Sequence, residues 1–310
     1  MLDRGEAMKL GELNAAFTDP RKISIAYFEA SLLVEHIVSA YGDAGLRKLL
    51  RAYGQGLDSD AALKSTLDTS FDQLQVGFDQ SMKRQFGSIG RALKVPGNAS
   101  LDRMALADLQ KLANDNPSSF PVQMALGREL QKAGNLDDAM KAFERAAATM
   151  PLPAGADSPH LLMASIAVQK KDNPRAIAEL QALMAVDFDN VEAPRRLASL
   201  FKEAAITDAA KLGPVHERIV ALDPYDAAAH AALGRLALQR DDTDVASREF
   251  RTVVALGPVD RAAALTDLAE SYLKGGKTAD AKKQTLAALE IAPTYERAQE
   301  LPLKLVGTQL

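Results

Sequence analysis

Small residues and prolines return along this chain on a period near 34 residues. Leu126, Gly127, Ala139, Phe143, Ala146 and Pro151 set the frame. It recurs as Leu233, Gly234, Ala246, Phe250 and Pro258, and again as Tyr272, Ala281, Ala288 and Pro293. A fixed period of this length, with small residues where helices cross, is the pattern of a stacked helix-turn-helix solenoid. No other feature constrains the fold as much. One such unit cannot bury both of its faces, so neighbours must stack. Arrays of this kind present surfaces, which points to binding and not to chemistry.

Composition agrees. Apolar residues make up 47% of the 310 and charged residues 25%, as in an ordinary globular protein. Alanine is plentiful and Trp absent, which favours closely packed helices over a β-sandwich. The formal charge is −4, from 37 basic and 41 acidic residues, and gives none of the basic footprint of a nucleic-acid binder. With no cysteine, disulfides, Cys-based zinc sites and a thiol nucleophile are excluded. The first 17 residues carry Asp, Glu and Lys without an apolar core, so they do not read as a secretory signal. No run reads as a membrane span. The best stretch, 31–41, is interrupted by Glu35 and His36.

Two regions differ in pattern. Residues 1–97 show helical punctuation without the 34-residue period. Ile25, Phe28, Leu32, Leu33, Ile37 and Val38 give a long amphipathic helix ending near Gly42. A second helix begins at Asp43, with Leu46, Leu49, Leu50 and Tyr53 on its apolar face. A shorter helix covers 60–67, and Ser70 with Gln73 forms a capping box ahead of Phe71, Leu74 and Phe78, in a helix closed by Gly87. Residues 98–119 are a turn-rich linker that contains the sequon Asn98, Ala99, Ser100, and a capping helix whose repeat proline is Pro117. The array occupies 120–295, with units near 120–153, 157–190, 191–226, 227–260 and 262–295. Residues 296–310 form a final helix or tail. The second unit has Phe188 where proline is expected, and Gly213 with Pro214 interrupts the second helix of the third. Gly127, Ala164, Ala198, Gly234 and Ala269 let the two helices of each unit approach.

Residues 101–295 resemble the tetratricopeptide repeat (TPR) family. The resemblance implies an all-α solenoid of about five units whose first helices line a concave face that holds a peptide or partner helix. Carried over position by position, the groove residues are Met124, Arg128 and Lys132 in unit one, and Arg195, Ser199 and Lys202 in unit three. Unit four supplies Arg235 and Gln239, and unit five Thr266, Glu270 and Lys274. The first four units offer more cations than anions, which suits an acidic or C-terminal peptide, because Arg grips a carboxylate through two hydrogen bonds. The competing reading is that these are solvated helix faces. Asparagine is missing where Arg128 and Ser165 stand, so the carboxylate clamp of chaperone-binding members is not expected.

Residues 20–90 resemble the helical segment that follows the metal site in gluzincin-type (peptidase MA-like) zinc peptidases. Tyr27, Phe28, Glu29 and Ala30, followed by Tyr41 and Gly42, match that order. The resemblance makes Tyr27 the matching position for an oxyanion donor. A zincin also needs H-E-x-x-H on one helix. The four histidines, His36, His160, His216 and His230, include no pair at i and i+4. Phosphate-binding loops, dinucleotide fingerprints and the serine nucleophile elbow are also missing.

The sequence therefore leads to a non-enzymatic adaptor, without metal or cofactor, that binds a protein or peptide on its array. A second expectation is the C-terminal part of a zinc metallopeptidase whose H-E-x-x-H lies upstream. Zinc would then belong to the longer parent, and the location would be periplasmic or extracellular if that parent is exported. Self-association by stacking of array ends is a third. Neither nucleic-acid binding nor membrane insertion is expected.

Overall fold

In a computed structural model the described residues are 8–98, 100–150, 155 and 158–307. Among them every regular element is helical, so the chain is an all-α, helix-hairpin solenoid protein. Pro151 and Ala99 of the sequon lie outside the described residues. The chain divides into two compact units, Met1–Pro151 and Leu152–Leu310.

In the first unit, α1 (Leu13–Ala16) leads into α2 (Ile23–Gly54). Gly42, at φ 70° and ψ 170°, breaks α2 where the sequence placed a helix end. Only glycine takes that backbone conformation without strain. Against the expectation that no run spans a membrane, α2 is by length and composition long and apolar enough to cross one, with a mean hydropathy of 1.3 over 18 of its residues. One side of α2 enters a core of Ala26, Leu32, Ile37 and Leu49, joined by Leu63, Phe78 and Met82. Leu50 and Tyr53 are exposed, so the apolar face expected beyond Gly42 narrows to Leu46 and Leu49. Next come α3 (Ser59–Leu67) and α4 (Phe71–Ala92), the latter opened by the expected capping box. Gln73 N donates to Ser70 Oγ at 3.2 Å, and Ser70 N to Gln73 Oε1 at 2.9 Å. Gly87 does not close α4, which runs on to Ala92. A glycine ends a helix by turning left-handed, and Gly87 is not among the residues with positive φ. The unit finishes with α5 (Leu106–Asp115), α6 (Phe120–Lys132) and α7 (Leu136–Thr149).

The second unit stacks α8 (Pro159–Gln169), α9 (Asn173–Val186), α10 (Glu192–Glu203), α11 (Ala209–Leu222) and α12 (Ala227–Gln239). It continues with α13 (Thr243–Ala255), α14 (Arg261–Lys274), α15 (Thr278–Ile291) and α16 (Glu296–Gly307). Each packs on the next in order, and α16 also touches α14. Pro214 does not interrupt α11, against expectation. It sits on the exposed side, where the lost N–H bond leaves only the Ala210 carbonyl to water.

Every hairpin turns in the same way. The residue after each first helix's cap is left-handed: Gly134, Lys171, Ala205, Asp241 and Gly276, with φ between 51° and 78°. The next amide then reaches back five residues: Asn135 to Leu130 O, Asp172 to Ala167 O, Ile206 to Phe201 O, Asp242 to Ala237 O, and Lys277 to Tyr272 O, all at 2.8–2.9 Å. This is the Schellman closure, which satisfies carbonyls that a helix end leaves open. The new helix is then capped by Asn135, Asp172, Asp208 or Asp242. In unit one Asn135 is therefore the cap, while Asp137 and Asp138 lie in the first turn.

Tight reversal presses paired helices together. A Cβ on Gly127 would meet the Phe143 ring at 2.5 Å, and one on Gly234 the Phe250 ring at 2.7 Å. Both rings are buried and have no room to retreat. Gly127→Ala should therefore destabilise by about 1–3 kcal/mol through overpacking, despite a helix-propensity gain of roughly 1 kcal/mol. Adding Phe143→Leu should recover part of the loss in denaturant midpoints. Ala205→Gly should stabilise by about 1 kcal/mol, because the left-handed conformation costs a Cβ-bearing residue that much. Thermal melting checks it.

Candidate functional site

First helices carry the groove positions expected from the repeat. In the first unit these lie on α6. Met124 is buried, not lining a surface, because α5 covers one side of α6 and α7 the other. Arg128 is half-buried, and Lys132 is exposed with its Nζ 2.6 Å from Glu129.

In the second unit the positions lie on α10, α12 and α14. Arg195 gathers three carboxylates. Its Nε donates to Asp226 at 3.1 Å, Nη1 to Glu192 at 3.3 Å, and Nη2 to Asp223. The Asp226 bond above all, with Glu192 and Asp223, outweighs burial and raises Arg195 above its usual range. Ser199 and Lys202 are exposed, the Ser199 hydroxyl 3.4 Å from Glu203. Arg235 stays 60% exposed, with Nη2 3.7 Å from Asp267, and Gln239 is exposed one turn on. Thr266 is fully buried, and its hydroxyl donates to Ala262 O at 2.8 Å. It too leaves the surface set, because α14 is enclosed by α13, α15 and α16. Glu270 accepts from Arg297 Nη2 at 2.9 Å, and Lys274 donates to Leu238 O at 2.7 Å while pairing with Asp241 at 2.6 Å.

These bonds form a ladder across successive first helices. Arg195 on α10 reaches Asp226 at the start of α12, and Arg235 on α12 reaches Asp267 on α14. Arg297 on α16 closes on Asp267 at 2.7 Å from the other side. Burial opposes the charge on Arg297, yet Asp267 and Glu270 prevail and raise it. The cationic surplus expected from first helices alone is thus met by carboxylates of the neighbouring repeats. Half-buried His216 lies beside this ladder. Burial lowers its pKa, the Arg235 charge adds to that, and Asp226 opposes.

The sequence reading missed a paired device inside two hairpins. His160 Nδ1 lies 2.7 Å from Glu179 Oε2, and His230 Nδ1 lies 2.7 Å from Glu249 Oε2. An arginine completes each: Arg175 Nε reaches Glu179 at 2.6 Å, and Arg248 Nη2 reaches Glu249 at 2.8 Å. His230 Nε2 also faces Pro224 O at 3.1 Å. The available signal was the common 19-residue separation from first to second helix. Burial works to raise the Glu179 carboxyl, but the His160 and Arg175 hydrogen bonds and the Arg175 charge leave it below its ordinary 4.5.

Tyr27 is 65% exposed and sets its ring edge-on to Phe17, with centroids 4.9 Å apart. Among the described residues, no three His, Asp or Glu side chains converge to hold a metal ion. Phe188, in the place of the missing repeat proline, is exposed with the Arg218 guanidinium 4.9 Å above its ring.

No family model and no curated protein matches the chain. Several solved structures are similar to it. YrrB, described as a TPR protein with an unusual peptide-binding site, is 16% identical with a TM-score of 0.43, over 63% of this chain and 98% of YrrB. MamA is 20% identical at 0.40, over 57% of this chain and 92% of MamA. The TPR protein TTC0263 of Thermus thermophilus is 21% identical at 0.33, over 61% of this chain and all of its own length.

Because the Glu179 pKa is depressed, its contribution to stability is present above pH 4.5 and lost as pH falls through the folded value. Glu179→Gln should cost about 1–3 kcal/mol at pH 7. It should also flatten the decline in stability as pH falls below 4.5, by an amount on the order of that range. Urea titrations across that fall in pH give the comparison.

Proposed function

We propose that this chain is a non-catalytic adaptor that holds a peptide or protein segment on the first-helix face of its second unit. The observation that carries the reading is Arg235. It projects from α12 with 60% of its side chain exposed, beside Asp267 of the ladder on α14. Arg195 and Arg297 are already clasped by carboxylates, so they orient neighbouring helices and leave Arg235 as the principal anchor. A guanidinium at such a position takes a carboxylate through two parallel hydrogen bonds. Asp267, at 3.7 Å, is near enough to orient Arg235 and too far for a strong bond. Ser199 and Gln239 add hydrogen-bonding groups for a peptide backbone. The partner is accordingly an acidic segment or a chain end, bound in extended or helical form.

Arg235→Glu should leave the melting temperature close to that of the parent, because the side chain is exposed. It should weaken capture of acidic fluorescent peptides about tenfold, the effect of losing one charge-assisted contact. Binding should also weaken with salt. Anisotropy titrations against matched acidic, neutral and basic peptides decide the matter: equal affinity of parent and variant for the acidic set removes Arg235 from the site.

A further inference from the structure

The helix from Ile23 to the break at Gly42 is covered on one side only. Ala26, Leu32 and Ile37 enter the core of the first unit, whereas Tyr27 and Phe28 are 65% and 52% exposed and Val34 46%. Ser24, Ser31 and Glu35 are exposed too. Along a helix, Ser24, Phe28, Ser31 and Glu35 follow the alternating steps of four and three that make one straight seam. Arg21, its side chain 90% exposed, stands in the turn that leads into the helix, just ahead of the seam. Asp19 Oδ1 accepts the Arg21 backbone N–H at 3.0 Å and meets its Nε only at 3.4 Å, a weak side-chain contact at so open a site.

With Arg21 at its head, the pattern reads cation, small, aromatic, small, anion. It is self-complementary when reversed about Phe28: Arg21 lies seven residues before that ring and Glu35 seven after. Two copies crossing antiparallel would set Arg21 against Glu35 at both ends. The serines would flank the crossing and admit the two Phe28 rings between them. A parallel pair would put like charges together. An isologous interface requires one surface that complements itself, and a charge pattern of opposite sign at equal distances from a centre has that property. The wall around this centre is apolar, since Tyr27 and Val34 border it and Phe28 leans toward Phe86 with centroids 6.4 Å apart. An exposed apolar face bordered by polar groups marks an interaction site.

We propose that this seam joins two copies of the chain as an antiparallel helix pair centred on Phe28. The proposal stands on the first unit alone and is independent of the peptide-binding face. Sedimentation velocity of the full chain over a concentration series tests it. Wild type should sediment at twice the mass of one chain at high concentration. Glu35→Arg and Arg21→Glu should each weaken the dimer about tenfold by placing like charges together. The double variant R21E/E35R should restore the dimer. Phe28→Asp should leave a monomer whose circular dichroism matches wild type. A wild type that stays monomeric overturns the proposal, as does a dimer indifferent to Glu35→Arg or a double variant that fails to recover. Flotation of monomeric wild type with phosphatidylglycerol vesicles, lost in Phe28→Asp, would also overturn it by assigning the face to lipid.

Discussion

The solenoid depends on one local event, the reversal of the chain between the two helices of each hairpin. A helix leaves its last carbonyls open, and a turn of a few residues must close them while redirecting the backbone. Here a single left-handed residue does both, with the following amide bonding back five residues. In two hairpins that residue is glycine. In the other three it is Lys171, Ala205 or Asp241, which carry a side chain at some cost. The five turns share a geometry that their residues do not, so the demand comes from packing and not from local preference. Once the chain is reversed, the helices of a pair stand close enough for Phe143 to lie against Gly127 and Phe250 against Gly234.

Charge is spent on this architecture before it is offered to a partner. Arg195 and Arg297 tie one first helix to the next. Glu179 and Glu249 are buried against a histidine of the same hairpin. A carboxylate removed from water is tolerated only when its oxygens are satisfied. Each of these glutamates is supplied with a ring nitrogen and an arginine. Such clusters penalise a register in which the partners do not meet, which selects one stacking of the hairpins over others. Arg235 and Lys202 remain as exposed cations on the first-helix face. The first unit shows a different imbalance, because α2 meets its core with one side and turns aromatic rings outward on the other.

Much of the fold was legible in the residues. The 34-residue period, the Ser70–Gln73 capping box and the helix break at Gly42 are short-range signals, and each corresponds to an observed element. Misreadings occurred where a local rule was overruled by surroundings. Gly87 ends no helix because its backbone stays right-handed, and Pro214 breaks none because the carbonyl it abandons faces water. Of the groove positions, Met124 and Thr266 were lost to the interior, since the number of helices enclosing a given turn is not written in that turn.

By itself, then, the sequence determined the helical class, the hairpin period and the small residues that allow close crossing, because these follow from spacing along one chain. Only the tertiary structure decided which charges remain available. Arg195 and Arg235 both stand on first helices, yet one is held by three carboxylates and the other by one distant oxygen. The difference lies in what the next repeat brings alongside. A side chain's partners are set by distance in space, and stacking places residues from about 30 positions away within hydrogen-bonding reach.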